Sequence, residues 1–304
     1  MIIVKVMGGL GNQMFQVAFA KMLSIEYGEE IYLDISAYEN YKIRKFSLSN
    51  LVISNSVKYL EKDEFSKVRW HFLKSSQKVY RVYQKVMKEI FGIDRFGELP
   101  FKLLSKKGLF YNFDRYYYEN PMNNPNLKCI YGYFQSERYF EKYKNEIIDE
   151  FKVEIPPNEK EENLLAEIYS NNAVGVSMRL GDDYVKSPSL NVCKDEFYYK
   201  AMDEIYKHNN NVVFYIFSDS IERAKSQFDF KYPVRYIEGF KDYESLRLLY
   251  TCKHFIISNS SFSWWGAYLS TNTNKIVIAP DRWYNDSKVK PDIYLDDMTL
   301  LEVL

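Results

Sequence analysis

The first half of the chain alternates short apolar runs with stretches of helical periodicity. Residues 2–7 form an apolar run rich in β-branched side chains, residues 12–27 follow a helical pattern, and residues 31–34 form a second apolar run. A glycine-rich turn at residues 8–11 separates the first run from the helix. This order of strand, turn, helix and strand predicts a βαβ unit with parallel strands.

The same alternation returns in the second half. Apolar runs that predict strands lie at residues 174–178, 212–217, 234–237, 254–258 and 276–278. Helical patterns separate them near residues 197–208, 243–250 and 262–269. Upstream, residues 154–162 (EIPPNEKEE) combine two prolines with a charge run, which is typical of an interdomain linker. The sequence therefore predicts an α/β fold of two Rossmann-like domains, residues 1–153 and 154–304, whose parallel sheets face a central cleft.

A long polar helix is predicted between residues 65 and 91. Its apolar side chains recur at three- and four-residue steps, at Val79, Val82, Val86 and Ile90. Residues 66–93 hold seven Lys or Arg residues against one Glu. Two interpretations stay open: a packed helix with a solvated basic face, or a surface that contacts anionic membrane lipid.

Composition narrows the functional classes. Lys plus Arg and Asp plus Glu both total 41, so the chain offers no general attraction for nucleic acid. The three cysteines are widely spaced and outside any metal-ligand pattern, which predicts reduced thiols in a cytoplasmic protein. Because no apolar run is long enough to span a bilayer, we expect any membrane association to be peripheral, on the inner face of the plasma membrane. No DxD motif occurs and the histidines stand alone, so neither a metal nor another cofactor is expected, and the histidines are expected to be structural.

The glycine-rich turn, which includes Gly9 and Gly11, lies where backbone N–H groups and a helix dipole can receive an anion such as phosphate. It is not a dinucleotide fingerprint, because Met14 stands where the third glycine would be, and it lacks the lysine of a P-loop. The turn is therefore either a phosphate site or only a tight connection. Asn12 and Gln13 add amides that can cap the helix or donate to a substrate oxygen.

Arg179 and Asp219 each follow a predicted strand. A guanidinium binds diphosphate oxygens bidentately and keeps its charge, as a departing nucleoside diphosphate requires. The alternative for Arg179 is a structural ion pair with Asp182. Asp219 either accepts hydrogen bonds from a ribose or purine, or caps the following helix.

A hydroxyl-rich turn follows the predicted strand at residues 254–258 and leads into a helix with paired tryptophans. The turn contains Asn259, Ser260, Ser261 and Phe262. It is either another anion cradle or a set of helix caps, and one of the tryptophans is expected in the core.

Four segments carry a longer pattern: residues 8–16 (GGLGNQMFQ), 132–136 (GYFQS), 217–220 (FSDS) and 258–269 (SNSSFSWWGAYL). In this order and spacing they resemble the α-1,2-fucosyltransferases of bacterial type, glycosyltransferase family 11, and the resemblance extends from residue 2 to about residue 280. It implies an inverting, metal-independent enzyme with the two-domain GT-B fold. Such enzymes transfer L-fucose from GDP-β-L-fucose to the 2-hydroxyl of a galactoside.

The resemblance also implies roles for particular residues. Arg179 matches the arginine of an HxRxGD motif that holds the donor β-phosphate, and Asn12 and Gln13 match amides near the donor phosphate and the acceptor. We therefore predict as catalytic residues Arg179, Asn12 and Asp182. The predicted substrate-binding residues are Gly9, Gly11, Gln13, Ser177, Asp219, Asn259, Ser260, Ser261 and Phe262.

The sequence departs from the family pattern at two positions. Ser177 stands where the motif has histidine, and Leu180 stands where the family commonly has a second arginine. The base that would activate the acceptor is open among Asp34, Asp182 and Asp183, and a weak base or none suffices for a strongly oxocarbenium-like transition state.

The expected partners are GDP-fucose and a galactoside-containing acceptor glycan of a bacterial surface polysaccharide or oligosaccharide. Two alternatives to fucose transfer stay open. One is transfer of another GDP-deoxysugar such as GDP-colitose, which differs from GDP-fucose by one hydroxyl. The other is a sugar-nucleotide-binding protein that has lost catalysis, an alternative suggested by the substituted motif.

Overall fold

The computed structural model describes residues 1–39, 45–60, 97–120 and 124–303, together with residues 75, 78–80, 82–87, 89 and 90. His71 and much of the predicted helix at residues 65–91 lie outside the described residues. The chain divides into two compact units, Met1–Asp149 and Glu150–Leu304. The predicted domains end and begin within a few residues of this division.

The first unit is built on a parallel sheet with the strand order β3-β2-β1-β5-β4. Its strands are β1 (Ile2–Lys5), β2 (Ile31–Asp34), β3 (Val57–Tyr59), β4 (Leu109–Asn112) and β5 (Lys128–Gly132). Its helices are α1 (Leu10–Tyr27), α2 (Glu98–Ser105) and α3 (Lys144–Glu150), the last of which runs one residue past the division. Single 3-10 turns lie at Ser36–Glu39, Leu48–Asn50, Val52–Ser56, Glu137–Tyr139 and Glu141–Tyr143. The predicted βαβ unit at the start of the chain is confirmed as β1, α1 and β2.

Helix α1 is the central helix of this unit because 11 of its 18 residues are buried and most of those have apolar side chains. Phe19 stacks on Phe134 with ring centroids 4.8 Å apart and meets the edge of Phe110 of β4 at 5.5 Å. Aromatic contacts of this kind add about 0.5–1.5 kcal/mol each beyond the area they bury. They attach α1 to the chain segment that follows β5.

The predicted apolar stripe at residues 65–91 does not face the core. Its members are exposed, with Val79 and Ile90 each at 70%. The described residues of this segment are helical, but the buried face is aromatic: Tyr80 is 4% exposed and stacks edge-on against Tyr111 at 4.7 Å. Tyr83 and Met87 pack on the same core cluster. An equally periodic set with larger side chains therefore faces the sheet, since it buries more apolar area than the valines would.

The second unit is a parallel sheet in the order β11-β10-β9-β6-β7-β8. Its strands are β6 (Ala173–Met178), β7 (Val213–Ser218), β8 (Val234–Tyr236), β9 (His254–Ile257), β10 (Val277–Pro280) and β11 (Met298–Leu301). Its helices are α4 (Glu159–Ser170), α5 (Asp182–Val185), α6 (Asp195–His208), α7 (Ile221–Gln227), α8 (Asp242–Thr251) and α9 (Ser261–Leu269). The chain proceeds from β6 outward to β8, returns to β9 on the other side of β6, and continues to β11. This is the doubly wound order of a Rossmann fold, with a topological switch point between β6 and β9.

Part of the predicted linker is bound to the second unit. Asn158 caps α4 by accepting a hydrogen bond from the backbone N–H of Glu161 at 3.1 Å. The Glu161 carboxylate is fully buried and accepts hydrogen bonds from Nε and Nη2 of Arg247, each at 2.7 Å. A paired charge of this kind costs several kcal/mol to break, because the remaining partner stays buried and uncompensated.

Candidate functional site

Three of the predicted motifs meet at the carboxyl edge of the second sheet. Strand β6 pairs in parallel with β7 on one side and β9 on the other. The backbone N–H of Ser258 donates to the carbonyl of Ser177 at 3.1 Å, which joins the ends of β6 and β9. Ligands of doubly wound sheets bind at such a carboxyl edge, beside the switch point.

Arg179 is the first residue after β6, and its side chain is 24% exposed. The predicted ion pair with Asp182 is wrong. Instead Nη2 donates to Asp183 Oδ2 at 2.9 Å, and Nε lies 2.8 Å from Asp219 Oδ2, although that contact lacks the geometry of a hydrogen bond. Within the described residues, Nη1 of this guanidinium has no hydrogen-bond partner. The guanidinium is therefore held on two sides and retains a donor for a ligand.

Asp182 has different partners. Arg223 Nη2 donates to one carboxylate oxygen at 2.7 Å, and Lys186 Nζ donates to the other at 2.7 Å. These two hydrogen bonds, that of Lys186 first, lower the pKa of Asp182 to about 2. A carboxylate with so low a pKa is a weak general base at neutral pH, so the geometry suits Asp182 to fixing the loop better than to taking a proton.

Asp219 does not cap the helix that follows it, since the N-cap of α7 is Ser220. Its Oδ1 accepts the backbone N–H groups of Leu180 and Gly181 at 2.7 and 2.8 Å. Gly181 allows this approach because a Cβ there would lie 2.9 Å from Oδ2 of Asp219 and 2.9 Å from Oδ1 of Asp183. Asp219 thus ties the end of β7 to the arginine loop after β6.

Ser177 lies within a small group of buried hydroxyls. Its Oγ is 2.6 Å from Ser263 Oγ, which is in turn 3.4 Å from Ser258 Oγ. Ser177 itself is 6% exposed. The position at which related fucosyltransferases carry histidine is therefore occupied here by a hydroxyl that bonds to α9.

The hydroxyl-rich turn leads directly into α9, with Ser260 as the N-cap. The Ser260 side chain makes no capping hydrogen bond, so the cap interpretation is wrong for this serine. The first turn of a helix presents backbone N–H groups without intrahelical partners, and here they lie at the switch point beside β6. Trp264 and Trp265 are both fully buried, so two tryptophans belong to the core where one was expected.

Asn259 has its side-chain amide occupied within the chain. Its Oδ1 accepts from Tyr184 Oη at 2.6 Å, and its Nδ2 donates to the carbonyls of Leu190 and Trp283 at 2.9 and 2.8 Å. These contacts hold the loop after α5 against the end of β9. A direct contact between the Asn259 side chain and a substrate would require one of these hydrogen bonds to be replaced by a bond to the substrate.

In the first unit the glycine turn and the GYFQS segment meet beside the central strand β1. Gly8 has φ +81°, a conformation that disfavours other residues, and Gly9 is the N-cap of α1. Gln135 Nε2 donates to Asn12 Oδ1 at 2.8 Å. Because β5 pairs with β1, both segments leave the same edge of the sheet. Asn12 is half-buried and faces this edge with its orientation fixed by Gln135.

Gln13 is fully buried, and its amide bonds backbone groups only. Nε2 donates to the carbonyls of Gly8 and Lys45, and Oε1 accepts the N–H of Ser47 at 3.0 Å. The described contacts make Gln13 a support for the glycine turn. Gly11 is likewise buried in the first turn of α1.

Two residues that organise these sites carry no predicted role. Gln135 belongs to the GYFQS segment, but nothing in its local sequence indicates Asn12 as its partner. Arg223 donates to the carbonyl of Leu180 at 2.5 Å as well as to Asp182. It comes from α7, and the sequence around it reads as an ordinary polar helix, so no sequence signal identifies it.

A doubly wound sheet with an arginine and a helix N-terminus at its switch point is an arrangement suited to a phosphate-bearing ligand. The family profile of glycosyl transferase family 11 matches residues 1–302, and the chain belongs to that family. The predicted recognition is confirmed, and the protein is a glycosyltransferase of this family.

Two relatives from Escherichia coli support the same assignment. An alpha-1,2-colitosyltransferase is 30% identical over 93% of this chain and 92% of its own length. An O-antigen biosynthesis glycosyltransferase, WbnK, is 28% identical over 95% of this chain and 98% of its own length. Among solved structures, a mutant of Arabidopsis thaliana FUT1 in complex with GDP resembles this chain with a TM-score of 0.52 at 10% identity, covering 96% of this chain and 72% of its own. The expected GT-B-like fold with two parallel sheets is confirmed.

Among the residues that the structure describes, no cluster of His, Cys, Asp and Glu could hold a metal ion. No described helix is long and apolar enough to cross a bilayer. Both findings concern these residues alone, and metal independence stays a prediction.

Proposed function

We propose that the protein transfers L-fucose, with inversion and without metal, from GDP-β-L-fucose to the 2-hydroxyl of a galactoside in a bacterial surface glycan. The observation that carries this proposal is the position of Arg179 beside the first turn of α9 at the switch point of the second sheet. A guanidinium and backbone N–H groups at one edge are the donors that a diphosphate leaving group requires.

In the proposed displacement, these donors stabilise the charge that develops on GDP while the acceptor hydroxyl attacks the opposite face of the sugar. Preorganised donors of this kind are the largest contribution in many transferases, and the loss of one costs about 10²–10³ in rate. Of the predicted bases, Asp182 is the least suited because of its low pKa. Asp183 lies against the guanidinium proposed to hold the leaving diphosphate, on the wrong side for a base. Asp34 is the remaining candidate, and its Oδ2 lies 3.7 Å from Lys5 Nζ with no hydrogen-bond partner among the described residues.

The second candidate donor is GDP-colitose. The relative named alpha-1,2-colitosyltransferase favours it at 30% identity. The two sugars differ by one hydroxyl, and a site built to bond a hydroxyl rejects the analogue that lacks it far more strongly than an apolar site rejects an added hydroxyl. The ratio of kcat/KM for the two donors therefore distinguishes them.

The test is a transfer assay with purified protein, each GDP-sugar in turn, and a panel of β-galactosides. The linkage of the product is read by NMR. We expect an α-1,2-linked fucoside. Preference for GDP-colitose would make it the proposed donor in place of GDP-fucose. Binding of either donor without any product would favour a protein that has lost catalysis.

We also propose that the described helical residues between 75 and 90 contact anionic lipid from the cytoplasmic side. Val79 and Val82 are 70% and 65% exposed, and the side chain of Lys85 on the same segment is 73% exposed. Apolar side chains beside lysines suit a bilayer surface with negative headgroups.

Sedimentation with phosphatidylglycerol vesicles tests this contact, with phosphatidylcholine vesicles as the reference. Val79→Ser combined with Val82→Ser should weaken binding about tenfold, because each valine loses most of its transfer free energy. Tyr169→Ser is the matched control, since it removes a side chain of similar exposure, 69%, from α4. Equal binding of all three proteins to both vesicles would contradict the contact.

A further inference from the structure

Arg179 is approached by two carboxylates of the same unit. Asp183 Oδ2 accepts from Nη2 at 2.9 Å, and Asp219 Oδ2 lies 2.8 Å from Nε. Both carboxylates also lie 2.9 Å from the position that a Cβ would take on Gly181. Two negative charges beside one guanidinium leave little net positive charge to attract a diphosphate. If Arg179 binds a diphosphate, the two carboxylates must therefore have different functions.

The surroundings of the two carboxylates are different. The remaining oxygen of Asp219 accepts two backbone N–H groups, those of Leu180 and Gly181, and the side chain is 26% exposed. Asp183 lies on the four-residue helix α5, and its side chain is 52% exposed. Asp219 is therefore anchored to the backbone of the loop that carries Arg179, whereas Asp183 can exchange the guanidinium for water at little cost.

We propose that Asp219 is a positioning residue that aims Arg179, and that Asp183 occupies the diphosphate-binding side of the guanidinium until the donor displaces it. The proposal rests on the proposed function only in taking Arg179 as the diphosphate ligand. Nη2 then exchanges Asp183 for a phosphate oxygen, while Nε stays against Asp219.

Neutral variants distinguish positioning from general electrostatics. Removal of a negative charge beside Arg179 should strengthen anion binding at either position if only charge matters. An asparagine at position 219, however, has one acceptor oxygen between donors on two sides, the N–H groups of the loop and Nε of Arg179. In either orientation of the amide, its NH2 group faces another donor, either Nε of Arg179 or the N–H groups of the loop. The guanidinium therefore loses its fixed orientation.

The experiment measures the affinity of the full chain for GDP and for inorganic pyrophosphate by calorimetry. We expect Asp183→Asn to bind both ligands about two- to fivefold more tightly, since a surface ion pair no longer competes. We expect Asp219→Asn to bind both about tenfold or more weakly, because the guanidinium loses its charged partner on the Nε side and an amide donor faces another donor. Glu222→Gln on α7 is the matched control, because it removes one negative charge nearby from a side chain that is 86% exposed and lies 3.4 Å from Lys225 Nζ.

Opposite signs for the two variants, with the control within twofold of the unaltered chain, support the proposal. Tighter binding by both variants, or no change in either, overturns it. A chain that binds pyrophosphate but not GDP would refute the proposed nucleotide while leaving this test intact, and a chain that binds neither would refute both.

Thermal unfolding of each variant shows whether it is folded. If Asp219→Asn does not fold, Asp219→Ser replaces it, because it removes the carboxylate that lies 2.8 Å from Nε of Arg179. Weaker binding of both ligands by Asp219→Ser is then expected, and unchanged or tighter binding overturns the proposal.

Discussion

Substitution of Arg179 by alanine tests the central element of the site. The change removes the guanidinium beside the first turn of α9 and leaves the sheet intact. We expect kcat/KM for the GDP-sugar to fall about 10²–10³-fold, because one preorganised donor to the leaving diphosphate is lost. The kcat/KM of Arg179→Lys should lie between those of the unaltered protein and of Arg179→Ala, since lysine keeps the charge and loses the planar fork of the guanidinium.

The structure also predicts that Arg179→Ala stays folded. The lost contacts are a pair with a carboxylate that is 52% exposed and an unaligned approach to Asp219. Surface pairs contribute about 0–1 kcal/mol, so Tm should change by about 4 °C or less.

The assay follows GDP release at saturating acceptor. Arg235→Ala is the matched control, because Arg235 in β8 also holds a carboxylate, that of Glu167, through Nε and Nη2 at 3.1 and 3.2 Å. The control should keep nearly full activity. Retention of more than a tenth of kcat/KM by Arg179→Ala, with an unchanged Tm, would refute the assignment of Arg179 as the diphosphate ligand.

Three further predictions concern the metal, a buried histidine and the substituted motif. Addition of EDTA should leave the transfer rate unchanged. A fall in rate that a divalent metal restores would contradict metal independence. Burial lowers the pKa of His254 below its usual 6.5, and its Nδ1 accepts the Ile276 N–H at 3.0 Å. The unfolded chain therefore takes up a proton that the folded chain does not, so the free energy of unfolding should fall as pH drops below 6.5. His254→Asn, which keeps a hydrogen-bond acceptor, should reduce this pH dependence of stability, measured by thermal unfolding. An unchanged pH dependence would exclude His254 as its cause. Ser177→His should lower stability by about 1–3 kcal/mol through overpacking without raising kcat, and an increase in kcat would contradict the structural role of the hydroxyl group.

The sequence predicts the elements of the fold where local pattern and tertiary packing agree. Strands β6 and β7 appear as continuous apolar runs because helices cover both faces of a parallel sheet. Strands β3, β4, β5 and β11 are not predicted from the sequence. Strand β3 has only three residues, and two of the four residues of β11 are exposed, so neither forms an apolar run of the expected length. The sequence does not decide which face of the segment at residues 65–91 packs on the core, since a valine set and an aromatic set are both periodic there and only packing selects the aromatic one.

The positions of the candidate site residues follow from motifs at strand ends, but their partners do not. The sequence offers Asp182, three positions away, as the structural ion-pair alternative for Arg179. The structure pairs it with Asp183, one residue further along, and with Asp219 from the next strand. Asp182 and Asp183 are consecutive residues in the first turn of α5, and Arg179 lies on the loop before it, so sequence spacing alone does not choose between them.

Contacts between distant segments set the remaining geometry. Gln135 and Asn12 are separated by 123 residues, and Asp219 reaches Leu180 across 39. Each of these contacts exists because parallel strands bring their carboxyl ends to one edge, which depends on strand order and not on local sequence. A motif therefore identifies a residue at the site, whereas the strand order determines which groups restrain it. This difference explains why Asp219, predicted as a ligand for the nucleoside, is found bonded to the arginine loop.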